Sequence, residues 1–144
     1  MDLSLPSETV FYTIESTAKA YRKFAQKKIS SKIEKITIDQ SITLILLSKF
    51  PELTQNALAE LLFKDNASLT RIIDTMVKHR FLKRSMNDQD RRRYNLEITS
   101  QGEKNLEELS VIISNNRKKA LLGITQTELN QLNIILNKIK SNCQ

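Results

Sequence analysis

Between Leu53 and Ile98 the spacing of apolar residues changes from the three-and-four rhythm of helices to strict alternation, and few folds accommodate both within so short a span. Thr54 stands before QNALAELLF, with Leu53 and Leu58 placed to staple the start of a short helix. The chain breaks at Lys64-Asp65, and Asp65 opens a second helix whose Leu69, Ile72, Ile73, Met76 and Val77 form one stripe. The opposite face of that helix presents Ala67, Ser68, Arg71, Asp74, Thr75 and Lys78. Two short helices about a tight turn, the second with small polar side chains and an arginine near its start, have the layout of a helix-turn-helix. FLKRSM and RYNLEI follow, separated by a polar run, and Tyr94, Leu96 and Ile98 alternate with polar neighbours. This predicts a β-hairpin carrying Asp88, Asp90, Arg91 and Arg92 at its tip. A hairpin directly behind a helix-turn-helix is a wing.

The flanks read as helices. From Ser7 to about Ile33, Val10, Ile14, Thr17, Ala18, Tyr21, Phe24, Ala25 and Ile29 recur on one helical face. A second helix is expected from Asp39, as its N-cap, to the neighbourhood of Pro51, and its apolar residues on most sides suit a buried central position. Ser100-x-x-Glu103 is expected to box the start of a long helix to about Leu122, and Thr125-x-x-Glu128 the start of a last one. In that last helix Leu129, Leu132, Leu136 and Ile139 are spaced as a two-stranded seam, which requires a partner. Only two Gly and two Pro occur in 144 residues, which argues against a large all-β fold. The expected fold class is mainly α with a small β-hairpin wing, a single domain over residues 1–144. Its winged helix-turn-helix core covers about 37–99, between dimerisation helices at about 7–33 and 100–140.

Charge points to the partner. From Arg71 to Arg93 eight basic residues stand against three acidic ones, so most of the formal +7 lies in one sixth of the chain. Such a block attracts polyanions, of which nucleic acid is the commonest.

These residues carry a family resemblance. Asp90 to Gly102, DRRRYNLEITSQG, resembles the wing signature DxRxxxxxLTxxG of the MarR family of transcription regulators, with Ile98 in place of Leu. LTQNALAELLFKDNASLTRIIDTMVKHRFLKR resembles that family's helix-turn-helix, including the Thr70-Arg71 pair. The chain departs from the pattern at Phe63 and Arg80, where the family often has Gly, and at Lys64, where an apolar residue is usual. The resemblance implies a homodimer on double-stranded DNA, with each recognition helix in a major groove and each wing in the adjacent minor groove. It further implies that Arg92 enters the minor groove and that Asp90 orients it, within the run Arg91, Arg92 and Arg93. On the recognition helix, Ala67, Ser68, Thr70 and Arg71 are expected near the groove floor, with Thr75 and Lys78 on the backbone. A salt bridge from Arg71 to Asp74 is the competing assignment. Thr54 and Gln55, with Asn56, either bind phosphate through free backbone N–H groups or only cap their helix. The resemblance also implies a small-molecule effector in a cleft between the dimer helices and the winged domain, with Phe11, Tyr12 and Tyr21 as candidate lining or as plain core.

Other functions find little support in the residues. Catalytic constellations, Gly-rich phosphate loops and metal-ligand spacings are missing, so no enzyme, no cofactor and no metal is expected, and His79 reads as a helix C-terminal cation or phosphate contact. No run approaches the roughly 18 apolar residues of a membrane span, no leader is legible, and the expected location is the cytoplasm. The lone Cys143 lies in a polar tail and builds no disulfide framework. The alternative function is a winged-helix protein-interaction module without specific DNA binding, which salt-independent association would reveal.

Overall fold

The computed structural model describes residues 3–144. Six helices and one hairpin follow in the order α1 (Val10–Ser30), α2 (Ile38–Lys49), α3 (Gln55–Leu61), α4 (Asn66–Lys78), β1 (Leu82–Met86), β2 (Tyr94–Ile98), α5 (Ser100–Ala120) and α6 (Gln126–Asn142). The long first helix expected from Ser7 is divided: a 3-10 turn at Pro6–Glu8 precedes α1, and Thr9 caps α1 by accepting the Tyr12 N–H.

The helix starts follow from local side chains. Thr54 accepts the Ala57 N–H at 3.2 Å and Asp65 the Ser68 N–H at 2.6 Å, as the sequence indicated. That hydrogen bond holds the Asp65 carboxyl below the usual carboxylate range, so the cap persists at neutral pH and is lost only as acid protonates it. Thr125 and Glu128 form the reciprocal capping box of α6. Two expected caps are displaced. α2 starts from Thr37, boxed with Gln40, and not from Asp39, because Thr37 holds the extended backbone that a cap requires. α5 starts from Thr99 and not from Ser100: Thr99 Oγ1 accepts the Gly102 N–H at 3.1 Å.

The core gathers the inward stripes of α1 to α5 and the root of the hairpin around the helix-turn-helix. Ile29, Ile33 and Ile36 enter from α1 and the chain behind it, Leu44 and Leu47 from α2, and Leu58 and Leu62 from α3 and its end. Leu69, Ile73 and Met76 of α4, Phe81 and Leu82 at the root of the wing, and Leu109 of α5 complete it. Each of these side chains contributes on the order of 1.5–3 kcal/mol through burial. The amide of Gln26 adds a polar link, accepting the Ile38 N–H at 2.9 Å and donating to the Ile36 carbonyl at 3.1 Å, so that α1 fixes where α2 begins. By contrast, α6 buries no residue and the N-terminal half of α1 exposes Val10, Phe11 and Tyr12. Within the single chain these stretches leave much of their apolar surface open, at Leu132, Ile134 and Ile135 as well as at the start of α1.

The hairpin is antiparallel with Leu82 opposite Ile98 and Met86 opposite Tyr94. Its root is tied to the exit of α4 by Thr99, whose hydroxyl donates to the Arg80 and Phe81 carbonyls and whose N–H also meets the Phe81 carbonyl at 3.1 Å. Gly102 packs against this knot: a Cβ there would collide with the Phe81 carbonyl oxygen and lie 2.7 Å from Ile98 Cγ2. The Thr-x-x-Gly end of the wing signature is thus a packing device that fixes the hairpin to α5. Gly102→Ala is expected to destabilise the fold by about 1–3 kcal/mol, read from thermal or urea unfolding. An unchanged melting curve would contradict the packing assigned to it.

Two helix ends turn through left-handed residues that are not glycine. Phe63 (φ 55) follows α3 and Arg80 (φ 62) follows α4. Both are closed by paired reverse hydrogen bonds, Lys64 N–H to the Ala59 carbonyl and Phe81 N–H to the Met76 carbonyl, each 2.9 Å. These pairs hold side-chain-bearing residues where glycine is usual.

Candidate nucleic-acid interface

The outward side of α4 is set by its buried side. With Leu69, Ile73 and Met76 in the core, Ala67, Thr70, Arg71, Asp74 and Lys78 stand exposed, and Ser68 and Thr75 are half-buried on one flank. The outward residues divide between two concavities. On the wing side an open groove of about 590 Å³ is lined by Thr54, Gln55 and Asn56 of α3, Thr70 and Asp74 of α4, and Arg84, Asn87, Arg92, Arg93 and Tyr94 of the hairpin. On the α2 side a smaller hollow receives Ser68, Arg71 and Thr75. The fold therefore brings Thr54, Gln55, Thr70, Arg92 and Arg93 together and keeps Arg71 apart from them. Ala67 and Lys78 line neither concavity.

Arg71 does not pair with Asp74. Its guanidinium donates to Ser68 Oγ at 3.3 Å, while Asp74 is taken by Arg84 of β1. The guanidinium of Arg84 also lies over Tyr94, its carbon 5.8 Å from the ring centroid. This three-residue link between α4 and the hairpin is invisible in sequence, because it depends on the strand register and on how the hairpin leans over α4.

The wing tip is shaped by short polar side chains. Asn87 Oδ1 accepts the N–H groups of Gln89 and Asp90, and its amide donates to Asn95 Oδ1 at 3.1 Å. Asp90 Oδ1 accepts the Arg92 N–H at 3.0 Å, whereas the guanidinium facing the carboxylate is that of Arg93, 3.9 Å away. Asp90 thus acts on the Arg92 backbone and pairs loosely with Arg93. The side chains of Arg91 and Arg92 are exposed, and among the described residues neither has a carboxylate within ion-pair distance. Asn87 was not singled out by the sequence; an Asn two residues before the turn is the signal that could have found it.

The aromatic candidates fall elsewhere. Phe11 and Tyr12 are exposed at 61% and 51%, outside the core of the protomer, and Tyr21 is half-buried. None of the three lines a third hollow, of about 700 Å³, between α2 and α5. Ile45, Leu106 and Ile113 line it with Lys49, Arg117 and Lys118. His79 packs edge-on against Phe81 with its Nδ1 buried. Among the described residues, no group of three or more His, Cys, Asp or Glu side chains could hold a metal ion, and no helix is long and apolar enough to cross a membrane.

The arrangement has known counterparts. The sequence model of the MarR family matches residues 36–94, from the end of the first linker to the second strand of the hairpin. The chain superposes on MepR of S. aureus, solved in complex with DNA, with a TM-score of 0.82 at 22% identity, covering 97% of this chain and 100% of that one. A MarR cysteine-to-serine mutant of E. coli, bound to operator DNA, gives 0.84 at 21% identity over 95% and 99% of the two chains. BpsR of Bordetella bronchiseptica, whose DNA binding is regulated by 6-hydroxynicotinic acid, gives 0.84 at 19% identity over 96% and 98%. The similarity covers all six helices and the hairpin.

Proposed function

We propose that this chain, whose residues 36–94 match the sequence model of the MarR family and whose fold is that of DNA-bound members of it, is a DNA-binding transcription regulator of that family, a repressor acting as a homodimer on a pseudo-palindromic operator. The observation that carries this reading is the wing-side groove, where the start of α3, the outward flank of α4 and Arg92 of the hairpin converge on one concave surface. Ala67, Thr70 and Arg71 enter the major groove on α4, Thr54 and Gln55 meet phosphate, and Arg92 reaches the neighbouring minor groove. Asp90 sets the turn from which Arg92 departs. Residues 1–144 act as one unit, with the winged core between dimerisation helices.

Two features support the dimer and its control. The exposed apolar residues of α6 and of the first turns of α1 provide a surface that a second copy would cover. The hollow between α2 and α5 has the chemistry of a small acidic, partly apolar effector, since Ile45, Leu106 and Ile113 line it beside Lys49, Arg117 and Lys118.

Selection of bound sequences from random duplex DNA tests the function. Enrichment of two inverted half-sites about one helical turn apart is the expected result. Failure to enrich any sequence, with binding insensitive to salt, would leave the protein-interaction alternative.

A further inference from the structure

The hollow on the α2 side of the recognition helix is built for an anion. It has a volume of about 370 Å³ and is lined by Thr37, Asp39, Lys64, Ser68, Arg71 and Thr75. Its one carboxylate, Asp39, is mostly covered, and it is engaged twice: Arg22 of α1 reaches Oδ1 at 2.7 Å, and Lys64 reaches Oδ2 at 3.5 Å. The first is the length of a strong charge-assisted hydrogen bond, and the second is too long to be one. Two cations thus engage this carboxylate, and a third, Arg71, lines the same hollow with its guanidinium resting only on a hydroxyl. Arg22 neutralises Asp39, so the hollow keeps the positive charge of Lys64 and Arg71.

Geometry says which anion passes here. A helix of roughly 10–12 Å diameter fills a major groove about 12 Å wide, so one phosphate backbone runs along each of its flanks. The wing-side flank of α4 faces the groove of Thr54, Arg92 and Arg93. The other flank is the hollow, and Ser68 and Arg71 belong both to it and to the outward side of α4. We infer that Lys64 and Arg71 clamp a phosphodiester of the second operator backbone, and that Lys64 exchanges Asp39 for this phosphate on binding. The clamp rests on the DNA-binding reading above, and it adds a contact from the turn between α3 and α4. After the exchange Asp39 is held by Arg22 alone, so DNA engagement breaks the ion-pair chain that runs from α1 through Asp39 of α2 to the turn between α3 and α4.

The test uses the full-length protein and the duplex recovered by selection, titrated over a range of KCl concentrations. Lys64→Ala is expected to weaken binding roughly tenfold. It should also lower the slope of log affinity against log salt by roughly two per dimer, one phosphate for each protomer. Lys64→Arg should restore both. Replacing single phosphates by neutral methylphosphonates should, at one position per half-site, cost the wild type clearly more affinity than it costs Lys64→Ala, which keeps only the Arg71 contact there. Asp39→Asn, which removes the competing carboxylate, should tighten binding a fewfold. Wild-type affinity and slope in a folded Lys64→Ala protein, or equal methylphosphonate losses in both proteins at every position, would overturn the clamp. Weaker binding by folded Asp39→Asn would overturn the exchange. A wild type that binds no duplex overturns the functional reading as well, whereas a wild type that binds while Lys64 is silent overturns the clamp only.

Discussion

Leu132→Glu is expected to turn the protein into a folded monomer that no longer holds its operator. Leu132 is 49% exposed in the protomer, and Ile134 and Ile135 on the same helix are exposed as well. Because α6 contributes nothing to the core, the substitution leaves Leu44, Leu58, Ile73 and their neighbours undisturbed. In a two-fold interface the change places two carboxylates in apolar surroundings, and an uncompensated charge there costs several kcal/mol. A single protomer would then offer one recognition helix to one half-site, losing half of the contacts that hold the pair on DNA. Sedimentation should give a single chain of 16.6 kDa, with helical circular dichroism retained and operator affinity reduced to the non-specific level. A mutant that remains dimeric would show that the 129–139 seam is not the interface.

Arg92→Ala is the second large effect. Arg92 stands exposed at the hairpin tip, its backbone pinned by Asp90 while its side chain carries no ion pair. Its loss should therefore leave stability unchanged. On DNA each such arginine is expected to contribute about 1–3 kcal/mol, and both wings of the proposed dimer would act on one operator, so the expected loss is about 2–6 kcal/mol. Titration of the selected duplex measures it, with melting temperature as the control. Unchanged affinity would remove the wing from the interface, and affinity independent of salt would favour a protein partner over DNA. The Arg93 side chain, near Asp90 at 3.9 Å, should matter less when replaced by Ala, because part of its charge is already answered.

Much of the framework around the candidate site was legible because it is local. The caps at Thr54, Asp65 and Thr125 act over three residues, and the outward face of α4 follows from its apolar stripe. Alternation at Tyr94, Leu96 and Ile98 placed the second strand where the structure has it. The errors at Asp39 and Ser100 were displacements to a neighbouring polar residue, two positions at α2 and one at α5. In each case several polar side chains could accept the same N–H, and the backbone angle of the preceding linker chose among them.

What the linear chain determined, then, is the identity and order of the elements and which side of each is apolar, since those depend on residues within one or two turns. What folding alone decided is partnership at a distance. Asp39 is joined to Arg22 and Lys64 rather than serving as a cap, Asp74 goes to Arg84 rather than Arg71, and Arg71 of α4 is set on the opposite flank from the arginines of the hairpin. Such pairings are set by the angles at which helices and hairpin cross over a shared core, and those angles are a property of the packed whole.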